Sequence, residues 1–403
     1  MDKTVLAYYG GDPVRTRPMP PRRQFGIPEF EAVKRTFEDS WQRGVDFSFQ
    51  GHQEAAYTRE FCDFQGGGGY ADAVATGTLA NYAAIKALNL PSGSDIVVSP
   101  ITDPGSITPA ILSGHRISVA DAQKDDYNIG PEEFDRAVTP NTRAAILTHL
   151  GGRPAAMDQI VEIAEQKGIR VIEDCSQAHG ALQNGIRVGN FGTLSFFSTM
   201  YSKIHSTGGC GGLIYTREED LYWSIRAWAD RGKPFHSEAF QPKNPTDFLF
   251  PAMNINLDEL SCAIGRSTLS KLQKTIERRV DIIRCIDEGI RDCKAVYPFK
   301  LPKNIFPSPF FHTVRVRTNR LSIPKTTFAE AVRAEGVDIN PDYRYVVSEW
   351  KWIQPHLVRP GDTPGARRFR DSSFNILFHE KYADEDVADV IEGIRKVDEV
   401  LTS

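Results

Sequence analysis

Cysteine is scarce, with six residues (Cys62, Cys175, Cys210, Cys262, Cys285 and Cys293) scattered over 403 positions and no C-x-x-C pair among them. That spacing speaks against a disulfide framework and against a structural zinc site, so no metal is expected and inert, reduced thiols are the simplest reading. Basic charge is not in excess either, with 48 Lys and Arg against 52 Asp and Glu. A net charge of −4 lacks the cationic surplus of nucleic-acid or anionic-membrane binders, which favours small-molecule partners. No apolar run approaches the length of a membrane span, and Met1-Asp2-Lys3-Thr4-Val5 carries no basic segment followed by an apolar core. A cytoplasmic protein is the expectation. Internal repeats and low-complexity tracts are also missing.

What is present reads as an ordinary globular chain, 40% apolar and 25% charged, too long for one core to organise. A larger domain over residues 1–265 and a smaller one over 266–403 are expected. Residues 1–50 hold a Pro- and Arg-rich lead-in, Arg15 to Arg23, and one predicted helix, Glu29 to Phe37, and resemble an arm of the kind that crosses to a partner subunit. From about Ala71 to Thr216, short β-branched runs alternate with helical stretches. The runs are 95–98, 116–119, 144–147, 170–172, 194–197 and 212–215, the helices Thr78 to Leu88 and Ile160 to Lys167. This rhythm predicts an α/β fold with a mainly parallel sheet covered on both faces. An amphipathic pattern from Asp258 to Ile290 carries the domain junction. A strand near Phe310 to Arg317 and helices near Lys325 to Glu335 and Asp384 to Val400 predict a compact α/β C-terminal lobe.

The segment Val171-Ile172-Glu173-Asp174-Cys175-Ser176-Gln177 is a strand ending in a carboxylate, and ligands in parallel sheets sit at that end. Asp174 there suits a positive charge on a heterocycle, and Gln177 a hydrogen bond to the same ligand; capping of the next helix by Asp174 is the plainer alternative. Further on, Phe196 to Lys203 leads a strand into a polar turn bearing one lysine, followed by Thr207-Gly208-Gly209-Cys210-Gly211-Gly212. A desolvated Lys203 there is suited to Schiff-base chemistry, against the plainer reading of a solvated surface lysine. Upstream, Ala75-Thr76-Gly77-Thr78 opens a helix with small residues, the composition of a phosphate cradle. The run Gly66 to Gly69 follows no clear strand and reads as a loop rather than a dinucleotide motif.

In this order and spacing the segments resemble the DegT-type sugar aminotransferase family, of the fold-type I pyridoxal-phosphate enzymes. The likeness also runs through Gly10-Gly11-Asp12-Pro13-Val14-Arg15, Asp126-Tyr127-Asn128-Ile129, Thr148 to Asp158 and Val188 to Gly192. It implies a large domain built on a mainly parallel, seven-stranded-type sheet between helices, with a smaller α/β C-terminal domain. It implies pyridoxal 5′-phosphate as cofactor, with Lys203 its covalent attachment and proton carrier and Asp174 the partner of the pyridine nitrogen. Gln177 becomes the donor to the phenolic oxygen, and Gly77, Thr78 and Ser198 the holders of the phosphate. Asn254 matches an asparagine that the family extends to that phosphate from the neighbouring subunit, which implies a homodimer with shared active sites. The activity implied is transfer of an amino group from L-glutamate or L-glutamine to a keto-sugar, nucleotide-linked or free, or to a cyclitol ketone, by a ping-pong mechanism. The Gly10-Gly11-Asp12-Pro13 opening leans toward the cyclitol branch.

Three positions depart from that pattern. Asp103 stands where relatives place an aromatic residue over the cofactor ring, the glycine run is one residue longer with Cys210 near an acidic position, and Asn256 replaces a common arginine. Competing outcomes are a dehydrating or aromatising enzyme of the same family and a pyridoxal-phosphate-binding regulator without catalysis. Lys203, where dehydratases carry histidine, favours transamination. His179 and His205 read as structural, with support of the cofactor site as the alternative; Arg226, Arg231 and Lys233 as solvated charges or else contacts to a substrate phosphate or carboxylate; and Tyr343 to Trp352 as packing of the small lobe or a substrate contact.

Overall fold

The computed structural model describes residues 3–242 and 244–402. Met1, Asp2, Lys243 and Ser403, which the expected division takes in, lie outside the described residues.

Seven strands form the central sheet: β1 (Tyr70–Val74), β2 (Asp95–Val98), β3 (Arg116–Val119), β4 (Thr142–Thr148), β5 (Arg170–Asp174), β6 (Leu194–Ser198) and β7 (Gly212–Thr216). Their order is β1-β7-β6-β5-β4-β2-β3. The five from β6 to β3 run parallel, while β7 is antiparallel to both β6 and β1. Alternate residues of one strand enter different cores. Ile96 and Val98 of β2, with Ile146 of β4, pack under the helix α3 (Gly77–Ala87). Val97, Ala145 and Leu147 face Met157, Ile160 and Ala164 of α4 (Met157–Gln166). A strand apolar on both sides is what two covering helical layers demand.

All six predicted runs lie within strands, but β1 lay outside them because Tyr-Ala-Asp-Ala-Val puts a carboxylate between two alanines, residues depleted in strands, at its centre. The four glycines before it all adopt left-handed φ, from 75° to 116°, and form a loop. The amphipathic stretch 258–290 is two helices, α6 (Glu259–Ser270) and α7 (Leu272–Gly289), broken at Lys271, and the expected division at residue 265 falls inside α6. Beyond them, Val296–Pro298, His312–Val316, Ser373–Ile376 and Ile339–Asn340 form a four-stranded antiparallel sheet in that order. Helices α8 (Lys325–Ala334) and α9 (Asp384–Leu401) pack in its core.

Residues 3–24 do more than an arm does. Leu6 is fully buried among Val314, Phe328 and Val390. Glu335 accepts from the main chain of Ala7 and Val14 at 2.9 and 3.0 Å and from Lys396 Nζ at 2.8 Å. Arg15 reaches Asp386 and Asp389 of α9 at 2.9 and 2.6 Å. The lead-in is therefore stitched to its own chain's C-terminal lobe. Residues 343–353 also differ from expectation. Val347 and Ile353 are buried in the core of the central sheet, and the main chain of Pro100 and Thr102 pairs with that of Val347 and Tyr345. An extended segment satisfies its backbone by continuing from β2, so it packs on the large sheet and not on the small lobe.

Arg226, in the helix α5 (Glu219–Ala229), is a buried tie and not a solvated charge. Its guanidinium lies 2.9 Å from Glu54 of the helix His52–Phe64 and 2.7 Å from Asp72 of β1. Removing one partner of a buried ion pair strands the others without water. Arg226→Met is expected to lose about 3–5 kcal/mol of stability, read as a lower urea midpoint with an unchanged slope.

Candidate active site

The C-terminal ends of β4, β5 and β6 bring the predicted residues together. Asp174, the last residue of β5, is 3% exposed and held on both oxygens. Ser106 Oγ and Thr148 Oγ1 (3.4 Å) donate to Oδ2, and the Ser176 amide donates to Oδ1 at 3.0 Å. Thr102 supports the first two, 2.9 Å from Ser106 and 2.7 Å from Thr148. No helix follows Asp174, so the Ser176 contact closes a turn rather than capping a helix, and the carboxylate remains at the strand end.

Gln177 is oriented by its neighbours. Its Oε1 accepts from the Gly151 amide at 2.8 Å, which leaves the NH2 group to donate. Lys203 lies in the turn after β6, its Nζ 4.6 Å from the centroid of the Phe310 ring. Burial pushes the Lys203 amine below the ordinary lysine range, opposed by the charges of Asp174 and Asp103. A lysine tuned downward by desolvation is a nucleophile and proton carrier in waiting.

Gly77 opens α3, whose N-cap Thr76 accepts from the Leu79 amide at 3.0 Å. A Cβ on Gly77 would stand 2.5 Å from Ser198 Cβ, so the missing side chain lets the helix N-terminus close on the end of β6. Gly212 repeats the logic from below, since a Cβ there would meet Thr76 O at 2.6 Å. Thr78 is exposed, with its hydroxyl next to Gly105 and Asp103. Small residues, a hydroxyl and a helix N-terminus thus meet beside Lys203's strand, a cradle suited to a phosphate group. Asn254 stands apart, exposed at the sheet edge. Asn256 beside it donates to its Oδ1 at 2.7 Å, while the Asn254 amide nitrogen faces no described acceptor.

The chain matches the model of the DegT/DnrJ/EryC1/StrS aminotransferase family over residues 30–395. It belongs to that family. It is a pyridoxal-phosphate-dependent aminotransferase. An uncharacterized protein of Methanocaldococcus jannaschii is 24% identical over 326 residues, 79% of this chain and 83% of its own. The fold is shared with the aminotransferase of Psychrobacter cryohalolentis at a TM-score of 0.87 and 24% identity, covering 94% of this chain and 98% of that one. DesI, solved with its TDP-sugar product, gives 0.84 and 20%, covering 98% and 96%.

Several residues around this candidate site carry no signal of their own in the sequence. Ser106 and Thr148 were legible only as polar residues near strand ends. Phe310 and Tyr343 lie more than a hundred positions from Lys203 and arrive by tertiary folding alone. Of the departures, Asp103 is exposed and accepts from the Gly105 amide at 2.8 Å, Cys210 is exposed, and Asn256 accepts from Gln50 at 3.0 Å.

Behind the site, His149, Glu173 and Cys175 cluster without solvent. The Ala155 amide donates to His149 Nδ1 at 3.1 Å, so Nε2 carries the proton toward Glu173, 3.0 Å away. Glu173 also accepts from the amides of Gly189, Phe191 and Gly192 at 2.7–2.8 Å. With both imidazole nitrogens and both carboxylate oxygens engaged, the group is a structural knot rather than a vacant ligand set.

His205 packs edge-on to His179 with centroids 5.4 Å apart, and its Nε2 lies 3.1 Å from the Tyr57 hydroxyl. Burial pushes its pKa down to about 4, opposed by the Gly265 carbonyl. The unfolded chain then binds the extra proton first as pH falls below about 6.5, so the stability that neutral His205 provides is complete above that pH and lost toward pH 4. The loss is expected to be on the order of 3 kcal/mol, and His205→Gln should flatten the urea midpoint's dependence on pH in that window.

Proposed function

We propose that this enzyme moves an amino group from L-glutamate or L-glutamine to the carbonyl of a keto-sugar, nucleotide-linked or free, or of a cyclitol ketone, in two successive half-reactions. What supports the reading most is one juxtaposition: a desolvated Lys203 amine in the field of Asp174, at the strand ends where Gln177 offers its NH2 group. In this reading the phosphate of pyridoxal 5′-phosphate rests against Gly77, Thr78 and Ser198. Bound there, the cofactor supplies an electron-withdrawing ring that acidifies the substrate's C–H bond.

The residues divide the remaining work. Asp174, fixed on both oxygens, keeps a proton on the ring nitrogen, and Ser106 and Thr148 stop the carboxylate from turning away. Gln177 donates to the phenolic oxygen, its amide orientation set by Gly151. Lys203 Nζ carries the proton between the substrate carbon and the cofactor carbon, a task that suits an amine held below its usual pKa. Phe310 limits water around that amine.

The active unit in this proposal is a homodimer, with Asn254 reaching the partner's phosphate site. An exposed apolar surface supports it: Ile27, Phe30 and Trp41 on the helix Ile27–Arg43 are 72, 63 and 73% exposed, and Tyr201, two residues before Lys203, is 62% exposed. Patches of this kind mark association surfaces. The exposed free thiols of Cys210 and Cys285 fit a reducing compartment such as the cytoplasm.

The test is spectroscopic. With pyridoxal 5′-phosphate the protein is expected to show the visible band of a lysine-bound cofactor, bleached by L-glutamate or by L-glutamine, and absent in Lys203→Ala. Asp174→Asn should keep cofactor binding but slow the half-reaction by roughly 10²–10⁴-fold. A band that neither donor bleaches would sink transamination from these donors, and a band that survives Lys203→Ala would sink the assignment of Lys203.

A further inference from the structure

Three consecutive carbonyls in the turn that carries Lys203 find no main-chain partner among the described residues. They are served from the N-terminal segment instead. Arg22 Nη1 donates to Ser202 O at 3.1 Å and to Lys203 O at 2.8 Å, and its Nη2 reaches Ile204 O at 3.4 Å. Gln24 Nε2 donates to Lys203 O and Ile204 O at 3.2 and 3.0 Å. Two side chains about 180 residues away in sequence thus hold the main chain on which the lysine is mounted.

Arg22 is itself anchored. Glu380, in the loop before α9, accepts from Arg22 Nε at 3.1 Å through one oxygen and from Arg279 Nε at 2.9 Å through the other. Arg279, 2% exposed on α7, donates to Pro309 O at 2.9 Å, one residue before the ring that lies beside the Lys203 amine. Burial alone would raise the Glu380 carboxyl, but Arg279 and Arg22 hold it down at about 2, so the anchor stays charged. One carboxylate in the C-terminal lobe therefore braces both walls of the lysine's pocket. One is the backbone under Lys203, through Arg22; the other is Phe310, through Arg279.

We propose that Arg22 and Gln24, anchored by Glu380, are positioning residues that fix where the Lys203 amine sits between Asp174 and Phe310. They touch neither cofactor nor substrate in this role and act through the main chain of residues 202–204. The proposal rests on the reading of Lys203 as the reactive amine. Its physical core is that a carbonyl freed of its donors turns toward water, and the turn that bears it loosens. A loosened turn admits water to the amine and relieves the burial that depresses its pKa, the largest influence on it and one that outweighs any weakening of the Asp174 field.

The experiment uses the full chain. Without cofactor, the pH dependence of Lys203 acylation, followed by peptide mass spectrometry, gives the amine's apparent pKa. With cofactor, the pH midpoint of the visible band gives a second value. Gln24→Leu changes no charge, and Arg22→Met removes the stronger donor. Both are expected to raise the apparent pKa of Lys203 by about one pH unit and to lower kcat more than they raise the donor KM, with Arg22→Lys recovering part of the shift. Values within about 0.2 pH unit of the unaltered protein, accompanied only by a lower melting temperature, would reduce these residues to structural straps and overturn the proposal. Should Arg22→Met fail to fold, Gln24→Leu decides alone. A protein that shows no visible band with the cofactor contradicts the functional reading, whereas the cofactor-free titration still passes judgement on Arg22 and Gln24.

Discussion

The Lys203 amine rests against the Phe310 ring with the charges of Asp174 and Asp103 in its field, and that balance between lost water and gained charge dictates what surrounds it. An ammonium taken from water pays several kcal/mol unless charge or hydrogen bonds return it. A carboxylate free to rotate would return little. Hence Asp174 is held by donors on both oxygens, Ser106 is backed by Thr102, and Thr102 meets Thr148. These residues come from the ends of β2, β4 and β5. The parallel register of three strands is thus what brings one carboxylate to one amine.

The same balance shows how far sequence alone reaches. Asp174, Gln177 and Lys203 stand in short motifs whose local chemistry is visible, and the strands that carry them are short apolar runs. Their partners in space are another matter. Phe310 lies 107 positions after Lys203, and Arg22 lies 181 positions before it, in a segment whose composition signals only an irregular lead-in. β1 was hidden by alanines, and the break between α6 and α7 by a hydrophobic pattern that runs through Lys271 without interruption. Arg226 has the look of any helix charge until Glu54 and Asp72 close around it. Periodicity reports which face of an element is buried, but not against what.

Resemblance filled part of that gap, and the family match over residues 30–395 places the fold and the class of chemistry beyond local pattern. It does not explain the positions where this chain differs. Asp103 is the most telling, because it puts a charge, anchored on the Gly105 amide, where an apolar ring would have been neutral toward the lysine. The electrostatic setting of Lys203 is built from two carboxylates rather than one.

The stitching of residues 6–15 onto residues 335–396 has a consequence for the order in which the molecule can be assembled. Leu6 needs a core made by Phe328 and Val390, and Arg15 needs Asp386 and Asp389. During synthesis the lead-in leaves the ribosome first, but it has nothing to dock on until Phe328, Asp386 and Val390 follow it. Segments that leave the ribosome early are placed late, and the turn bearing Lys203 receives the grip of Arg22 and Gln24 only then. The grip of Arg22 and Gln24 on the turn bearing Lys203 therefore needs both ends of the chain.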